Sequence, residues 1–214
     1  ARPAGAACAD LGVLFAALRA QIGRCRTFVF FPLPKDPMKR RLLLGSIATG
    51  ALALGGCASH QIEDYAAQKP ALDLRQYFNG VVDGYGIFTD RSGKVVKRFI
   101  VVMQCSWEGD KGVLDEDFTY SDGTKQRRIW RLKALPNGRY EGSADDVIGG
   151  AQGQAAGNAL NWRYTLALPV DGSVYEVQFD DWMYLMNDKV MLNKAQMRKF
   201  GIYLGEVTLA FTKR

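Results

Sequence analysis

Three acidic runs interrupt the apolar stretches of this chain: Asp115-Glu116-Asp117, Asp145-Asp146 and Asp180-Asp181. Paired carboxylates could divide acid and base work on a glycosidic bond. Neighbours on an extended strand point to opposite faces, however, so an adjacent pair cannot close on one substrate. Solvated strand and turn charges are the expectation for most of these acids. Glu116 is the exception, because its parity matches Leu114, Phe118 and Tyr120. Arg128 has the parity of Trp130 and Leu132. An inward Glu116–Arg128 pair is expected, as a structural ion pair or, in an open interior, as the group that orients a ligand's head. Trp107, Trp130, Trp162 and Trp182 are spread over four β-rich runs. They either fill a core or line an apolar ligand cavity. The candidate lining set is Trp107, Glu116, Arg128, Trp130, Trp162, Phe179 and Trp182.

Other chemistry lacks its residues. The only histidine, His60, stands three residues after Cys57 and outside any folded pattern. The body of the chain therefore lacks the usual general base and the commonest metal ligand. No metal-ligand spacing, serine nucleophile elbow or Cys-His pair is present. No metal, cofactor or catalytic residue is assigned, and an enzyme is the least favoured class. Two convergent carboxylates about 5–9 Å apart in a cavity would revive it. Gly149 to Asn158 is small and flexible, but it lacks the Lys-Ser/Thr ending and the strand–helix context of a phosphate loop. Glycines at a barrel corner or bulge explain it better. Cys105, in the apolar run Phe99–Trp107, reads as a buried inert thiol.

Charge divides the chain at Cys57. The whole chain has 28 Lys/Arg and 22 Asp/Glu. Residues 1–56 hold eight Lys/Arg and two acids, Asp10 and Asp36, which leaves twenty of each sign from Cys57 onward. A nucleic-acid partner needs a net basic face, and the body has none in its composition. The run Met38-Lys39-Arg40-Arg41 precedes an apolar stretch of 13 residues, Leu42–Leu54. That is a charged segment and an apolar core of signal-peptide type, too short to span a bilayer as a helix. The ending Leu54-Gly55-Gly56-Cys57 resembles a bacterial lipobox. In such signals the Cys thiol takes a diacylglyceryl group and the leader is cut before it. Several acyl chains give stable anchoring where one does not. Ala58, by resemblance to the sorting rule of two-membrane bacteria, implies the outer membrane, facing the periplasm. The expected organisation is 1–37 as spurious upstream sequence, 38–56 as signal peptide, 57–70 as a polar tether and 71–214 as the folded domain.

Beyond Pro70, β-rich runs alternate with turn signals. Nine strands are expected: Val81–Phe88, Val95–Trp107, Gly112–Tyr120, Arg127–Leu135, Arg139–Ala144, Ala159–Leu168, Val174–Leu185, Lys189–Met197 and Ile202–Thr212. Turns fall at Asp90-Arg91-Ser92-Gly93, Ser121-Asp122-Gly123, Pro136-Asn137-Gly138 and Val170-Asp171-Gly172, where Asn-Gly and Asp-Gly suit tight hairpins. Period-two alternation places Phe99, Val101, Met103, Cys105 and Trp107 on one face. Tyr175, Val177 and Phe179 share another, as do Tyr203, Val207, Leu209 and Phe211. A meander of this size hides its edges by closing. The fold expected is all-β: an antiparallel up-and-down barrel of lipocalin or calycin type, with a two-sheet sandwich as runner-up. The Gly-x-Trp of lipocalins is not met, since Gly84-Tyr85-Gly86 stands there.

Several segments together resemble a bacterial lipoprotein family known as domain of unknown function 3833. They are Leu74-Arg75-Gln76-Tyr77-Phe78-Asn79-Gly80, Ser121-Asp122-Gly123 with Arg128-Ile129-Trp130, Ala144-Asp145-Asp146-Val147-Ile148-Gly149, Gly157-Asn158-Ala159-Leu160, Asp180-Asp181-Trp182-Met183-Tyr184-Leu185, and Asn193 with Lys199-Phe200-Gly201. The resemblance spans about Leu72 to Phe211 and implies a lipoprotein with a β-rich body, without assigned catalytic residues. The function expected first is a lipid-anchored barrel that binds or carries a lipophilic molecule in the cell envelope. The alternative is a structural or assembly lipoprotein acting through an exposed aromatic patch around Trp182-Met183-Tyr184.

Overall fold

The computed structural model describes residues 60–170 and 173–214, without the side chains of Pro169 and Val170. Cys57 and the segments before it lie outside the described residues. Ten strands follow one another along the chain: β1 (Gly80–Asp90), β2 (Val95–Glu108), β3 (Lys111–Tyr120), β4 (Lys125–Ala134), β5 (Arg139–Ser143), β6 (Val147–Ala156), β7 (Ala159–Val170), β8 (Ser173–Leu185), β9 (Val190–Lys199) and β10 (Ile202–Lys213). Each pairs antiparallel with the next, and β1 pairs with β10 from Val82↔Lys213 to Asp90↔Gly205, so the sheet closes into a barrel. Closure satisfies the backbone donors and acceptors that an open meander would leave at its edges.

The hairpins follow from local chemistry. Asp90 accepts hydrogen bonds from Ser92 N (2.8 Å) and Lys94 N (3.1 Å). Asn137 and Gly138 both take positive φ, 61° and 69°, which tightens the turn between β4 and β5. Between the turns, every second residue faces the lumen. Along β2 these are Lys97, Phe99, Val101, Met103 and Cys105, all buried.

The count of ten corrects the expected nine. The added strand is β6, in the glycine-rich stretch that looked like a corner. A bulge does sit there: Gly149 and Gly150 take φ of 69° and 85°, and the register against β7 shifts between Ile148 and Gln152. The rest of the run is paired strand. Gly153 makes room for an indole, because a Cβ there would collide with the Trp162 ring, and on the neighbouring β5 a Cβ on Gly142 would lie 2.7 Å from the same ring. Alternating small and large residues in this way fills a tapered barrel. A second correction concerns Tyr203. The register shift between Tyr203 and Gly205 puts Leu204 into the interior with Val207, Leu209 and Phe211. Tyr203 instead lies beside the Arg198 guanidinium, 5.9 Å from its ring centre.

One end of the barrel is plugged. Helix α1 (Leu74–Tyr77) is capped by Asp73, whose carboxylate accepts Arg75 N at 2.9 Å. Leu74, Tyr77 and Phe78 are buried across the mouth, and each apolar side chain so placed contributes roughly 1.5–3 kcal/mol. Tyr77 Oη donates to Lys189 O (3.0 Å), and Trp107 Nε1 donates to Phe78 O (2.8 Å). Ahead of the plug, Ile62–Tyr65 forms one 3-10 turn. It lies on the outer wall, where the Tyr65 ring packs 5.8 Å from Trp182 and 5.4 Å from Tyr184. His60 belongs to this contact as well, with its ring centre 4.2 Å from that of Trp182. The expectation that His60 stands apart from the folded body is therefore corrected.

Candidate functional site

The lumen is mostly side chain, but a cavity of about 140 Å³ remains above the plug. Leu74 and Phe78 form its floor, and aliphatic and aromatic residues of the strands form its walls. Phe179 and Tyr164 stack nearly parallel at 4.9 Å, Trp130 meets Tyr164 edge-on at 5.3 Å, and Trp130 meets Trp162 at 5.8 Å. This aromatic wall is interrupted by a small polar group of residues: Glu116 on β3, Arg128 on β4, Tyr164 on β7, Asp181 on β8 and Asn193 on β9.

Glu116 and Arg128 both point inward and face each other across the β3–β4 ladder. The expected ion pair between them is not what forms. Arg128 turns Nε and Nη2 onto the carboxylate of Asp146, at 2.7–3.2 Å, in the connection between β5 and β6. Burial alone would lower the Arg128 pKa, but the charges of Asp146 and Glu116 outweigh it and hold the guanidinium ionised. Its plane also lies 5.7 Å from the Phe118 ring centre. Glu116 is only 8% exposed and makes no hydrogen bond or ion pair with any described residue. Burial pushes its carboxyl up to about 7, against the pull of Arg128 and with help from Asp146, Asp181 and Asp115.

The second inward carboxylate is Asp181, 6% exposed. It accepts a hydrogen bond from Asn193 Nδ2, and the Tyr164 hydroxyl lies near enough to favour its ionised form. Burial raises it to about 7, Asn193 and Tyr164 oppose the rise, and the charge of Asp180 adds to it. Asp180 itself points outward, to Asn161 Nδ2 (2.7 Å) and Arg163 Nε (3.4 Å). The adjacent acids thus face opposite ways, as a strand requires. Asp115 is outward too, in a bidentate pair with Arg127 (2.7 and 2.5 Å).

At the end away from the plug, the buried Lys97 ammonium lies 4.4 Å over the Tyr120 ring and 2.8 Å from Asp122. The Tyr120 hydroxyl donates to Gln126 Oε1 (2.8 Å). Cys105 is a free, buried thiol pushed up to about 12 by burial, which makes a thiolate scarce at neutral pH. No cluster of three or more His, Cys, Asp or Glu side chains suited to a metal ion occurs among the described residues.

The cavity therefore brings together Glu116, Arg128, Trp130, Trp162 and Phe179 of the expected lining set. Two members lie elsewhere. Trp107 is bonded to the plug and packs beneath it against Gly112. Trp182 is on the outer wall under His60 and Tyr65. Asp181, Asn193 and Tyr164 were missed, although a signal existed. Asp181 continues the parity of Val177 and Phe179, and Asn193 shares that of Met191, Ala195 and Met197.

Solved structures resemble the chain in fold. A de novo designed fluorescence-activating β-barrel is 12% identical over 67% of this chain and 99% of that one, with a TM-score of 0.37. A protein of the DUF3598 family from Nostoc punctiforme is 10% identical over 69% of this chain and 51% of its own, with a TM-score of 0.48. The S-type phycobiliprotein lyase of Guillardia theta is 6% identical over 72% and 98%, with a TM-score of 0.48. At these identities and scores the likeness is one of architecture alone. Comparison with the curated proteins found no match. The family described as "Protein of unknown function (DUF3833)" matches residues 51–213, most of the chain, and the chain belongs to that family.

Proposed function

We propose that this protein is a lipoprotein of the cell envelope, anchored through Cys57, whose barrel binds or carries a small, largely apolar molecule. The observation that carries the binding reading is the cavity of about 140 Å³, walled by aromatic and aliphatic side chains and holding a few convergent polar groups. That composition is typical of small-molecule sites. Its volume sets the size of the occupant. An apolar cavity of about 150 Å³ admits a benzene-sized molecule, so one ring or a short chain fits and a drug-sized ligand does not. The exported, lipid-anchored location rests on the leader and lipobox pattern before Cys57, and Ala58 favours the outer membrane.

The alternative of a surface-acting lipoprotein leaned on an exposed patch at Trp182-Met183-Tyr184. Trp182 is only 7% exposed, and His60 and Tyr65 cover it, so the first reading is preferred.

All the ladders that close the barrel, together with the plug, lie within residues 60–214. A form starting at Ala58 keeps every one of them. Mass spectrometry of small molecules retained by that form is the test, with an Ala195→Phe variant that fills the cavity as control. A compact molecule enriched on the parent and absent from the filled variant is expected. Identical extracts from the two would defeat the binding reading.

A further inference from the structure

The cavity holds two inward carboxylates, and the cations near them are engaged with other partners. Glu116 comes from β3 and Asp181 from β8, two strands far apart in the sequence but facing one lumen. Arg128 is engaged at both Nε and Nη2 by Asp146. Lys97, nearer the unplugged end, is held by Asp122 and the Tyr120 ring. Arg128 and Asp146 cancel, as do Lys97 and Asp122. The remaining charge facing the cavity is that of Glu116 and Asp181, and it is negative or zero according to their protonation.

We propose that the cavity recognises a compact amphiphile carrying a protonated amine, with Glu116 as the partner of the ammonium and Asp181 beside it. The inference rests on the small-molecule reading above and specifies its ligand class. A buried carboxylate without a hydrogen-bonded partner is costly. Arg128 attracts Glu116 only through space while bonded to Asp146, and a ligand cation supplies the hydrogen-bonded partner that no described residue provides. The ammonium would donate to Glu116 in a charge-assisted hydrogen bond. The rings of Phe118, Trp130 and Tyr164 line the same space, and aromatic surroundings favour a cation over an anion. An anionic ligand would meet both carboxylates and would have to draw Arg128 away from Asp146.

Protonation is linked to this binding. The groups facing the pair are Arg128 on β4, Asp146 beyond β5, Tyr164 on β7 and Asn193 on β9. Asp115 and Asp180 act from the outer faces of β3 and β8, and Tyr120 and Cys105 lie further along the lumen. Both carboxyls are raised to about 7 by burial. A bound cation favours their ionised forms, so binding near neutral pH releases protons and strengthens as pH rises from about 5 to 8.

Three probes of matched size separate the possibilities: benzylamine, benzyl alcohol and benzoate, titrated by calorimetry into residues 58–214 in two buffers of different ionisation enthalpy. Benzylamine is expected to bind at least about tenfold more tightly than benzyl alcohol, with proton release, and benzoate most weakly. Glu116→Gln is expected to collapse the amine-to-alcohol ratio towards one, and Asp181→Asn to reduce it if Glu116→Gln does not fold. Equal binding of amine and alcohol, or preference for benzoate, would overturn the cation assignment and leave the small-molecule reading standing. Failure of all three to bind would overturn both.

Discussion

At the residue scale, two buried acids dominate the chemistry of the interior and give the protein a definite pH dependence. Burial raises Glu116 from an ordinary 4.5, and Asp181 from 3.8, to about 7. The folded chain therefore holds protons that the unfolded chain has already lost between about pH 4 and 7. Stability must fall as pH rises through that window and level off above it. The loss is on the order of 3–4 kcal/mol for each carboxyl. Asp115, Asp83 and Asp90 act in the opposite sense, since their partners hold them below the usual carboxylate range. They are surface groups and lose their small contribution only in stronger acid. Urea unfolding at pH 5 and pH 8 is expected to show the greater stability at pH 5, and Glu116→Gln is expected to shrink the difference. A parent protein equally stable at both pH values would mean that the two carboxyls are not buried as described. Glu116 was legible in the sequence because a single acid stood in phase with apolar residues. Asp181 was equally in phase but hidden by Asp180 beside it, because two adjacent acids look like a solvated pair until one face is known to be inside.

The elements outside the barrel ladder show how much depends on close approach. Gly157, in the turn between β6 and β7, has φ of 53°, and a Cβ there would collide with the carbonyl of Tyr65. Its own carbonyl accepts Leu72 N at 2.7 Å. Gly157→Ala should therefore detach the segment over Trp182 and cost about 1–3 kcal/mol from strain and lost packing, without opening the barrel. Hydrogen exchange checks this: faster exchange is expected across residues 61–72, with protection in β1 to β4 unchanged. Unaltered protection of residues 61–72 would show that the turn tolerates the methyl group. The sequence marked residues 57–70 as a polar tether, and polarity does not distinguish a free tether from one held down by a few aromatic contacts. The glycine-rich strand β6 was obscure for a related reason. Its residues show little alternation because Gly149 and Gly150 form a bulge and Gly153 leaves space for Trp162, a need that belongs to β7.

At the scale of the whole molecule, the proposed anchor stands close in sequence to the barrel. Only two residues, Ala58 and Ser59, separate Cys57 from His60, which is packed on the outer wall of β8. An extended chain spans at most about 3.6 Å per residue, so a lipid on Cys57 would hold the barrel against the bilayer on a short leash. Cys57→Ser is expected to abolish labelling by an alkyne-tagged fatty acid and to move the protein from the membrane fraction to the soluble fraction. Retention of both label and membrane association in that variant would place any anchor elsewhere.

The sequence by itself determined the class of fold and the facing of most strands. Alternation and turn chemistry are local: a period of two separates Glu116 from Asp115, and an Asn-Gly or Asp-Gly pair sets a hairpin whatever lies across the sheet. The tertiary structure decided which residues meet across the lumen. Closure of β1 on β10 brings Glu116 on β3 to the same cavity as Asp181 on β8. The path of the connection after β5 gives Arg128 to Asp146 and leaves Glu116 without a hydrogen-bonded partner among the described residues. These contacts depend on the curvature of the closed sheet and on which side chains fill it, and neither is written in the spacing of neighbouring residues.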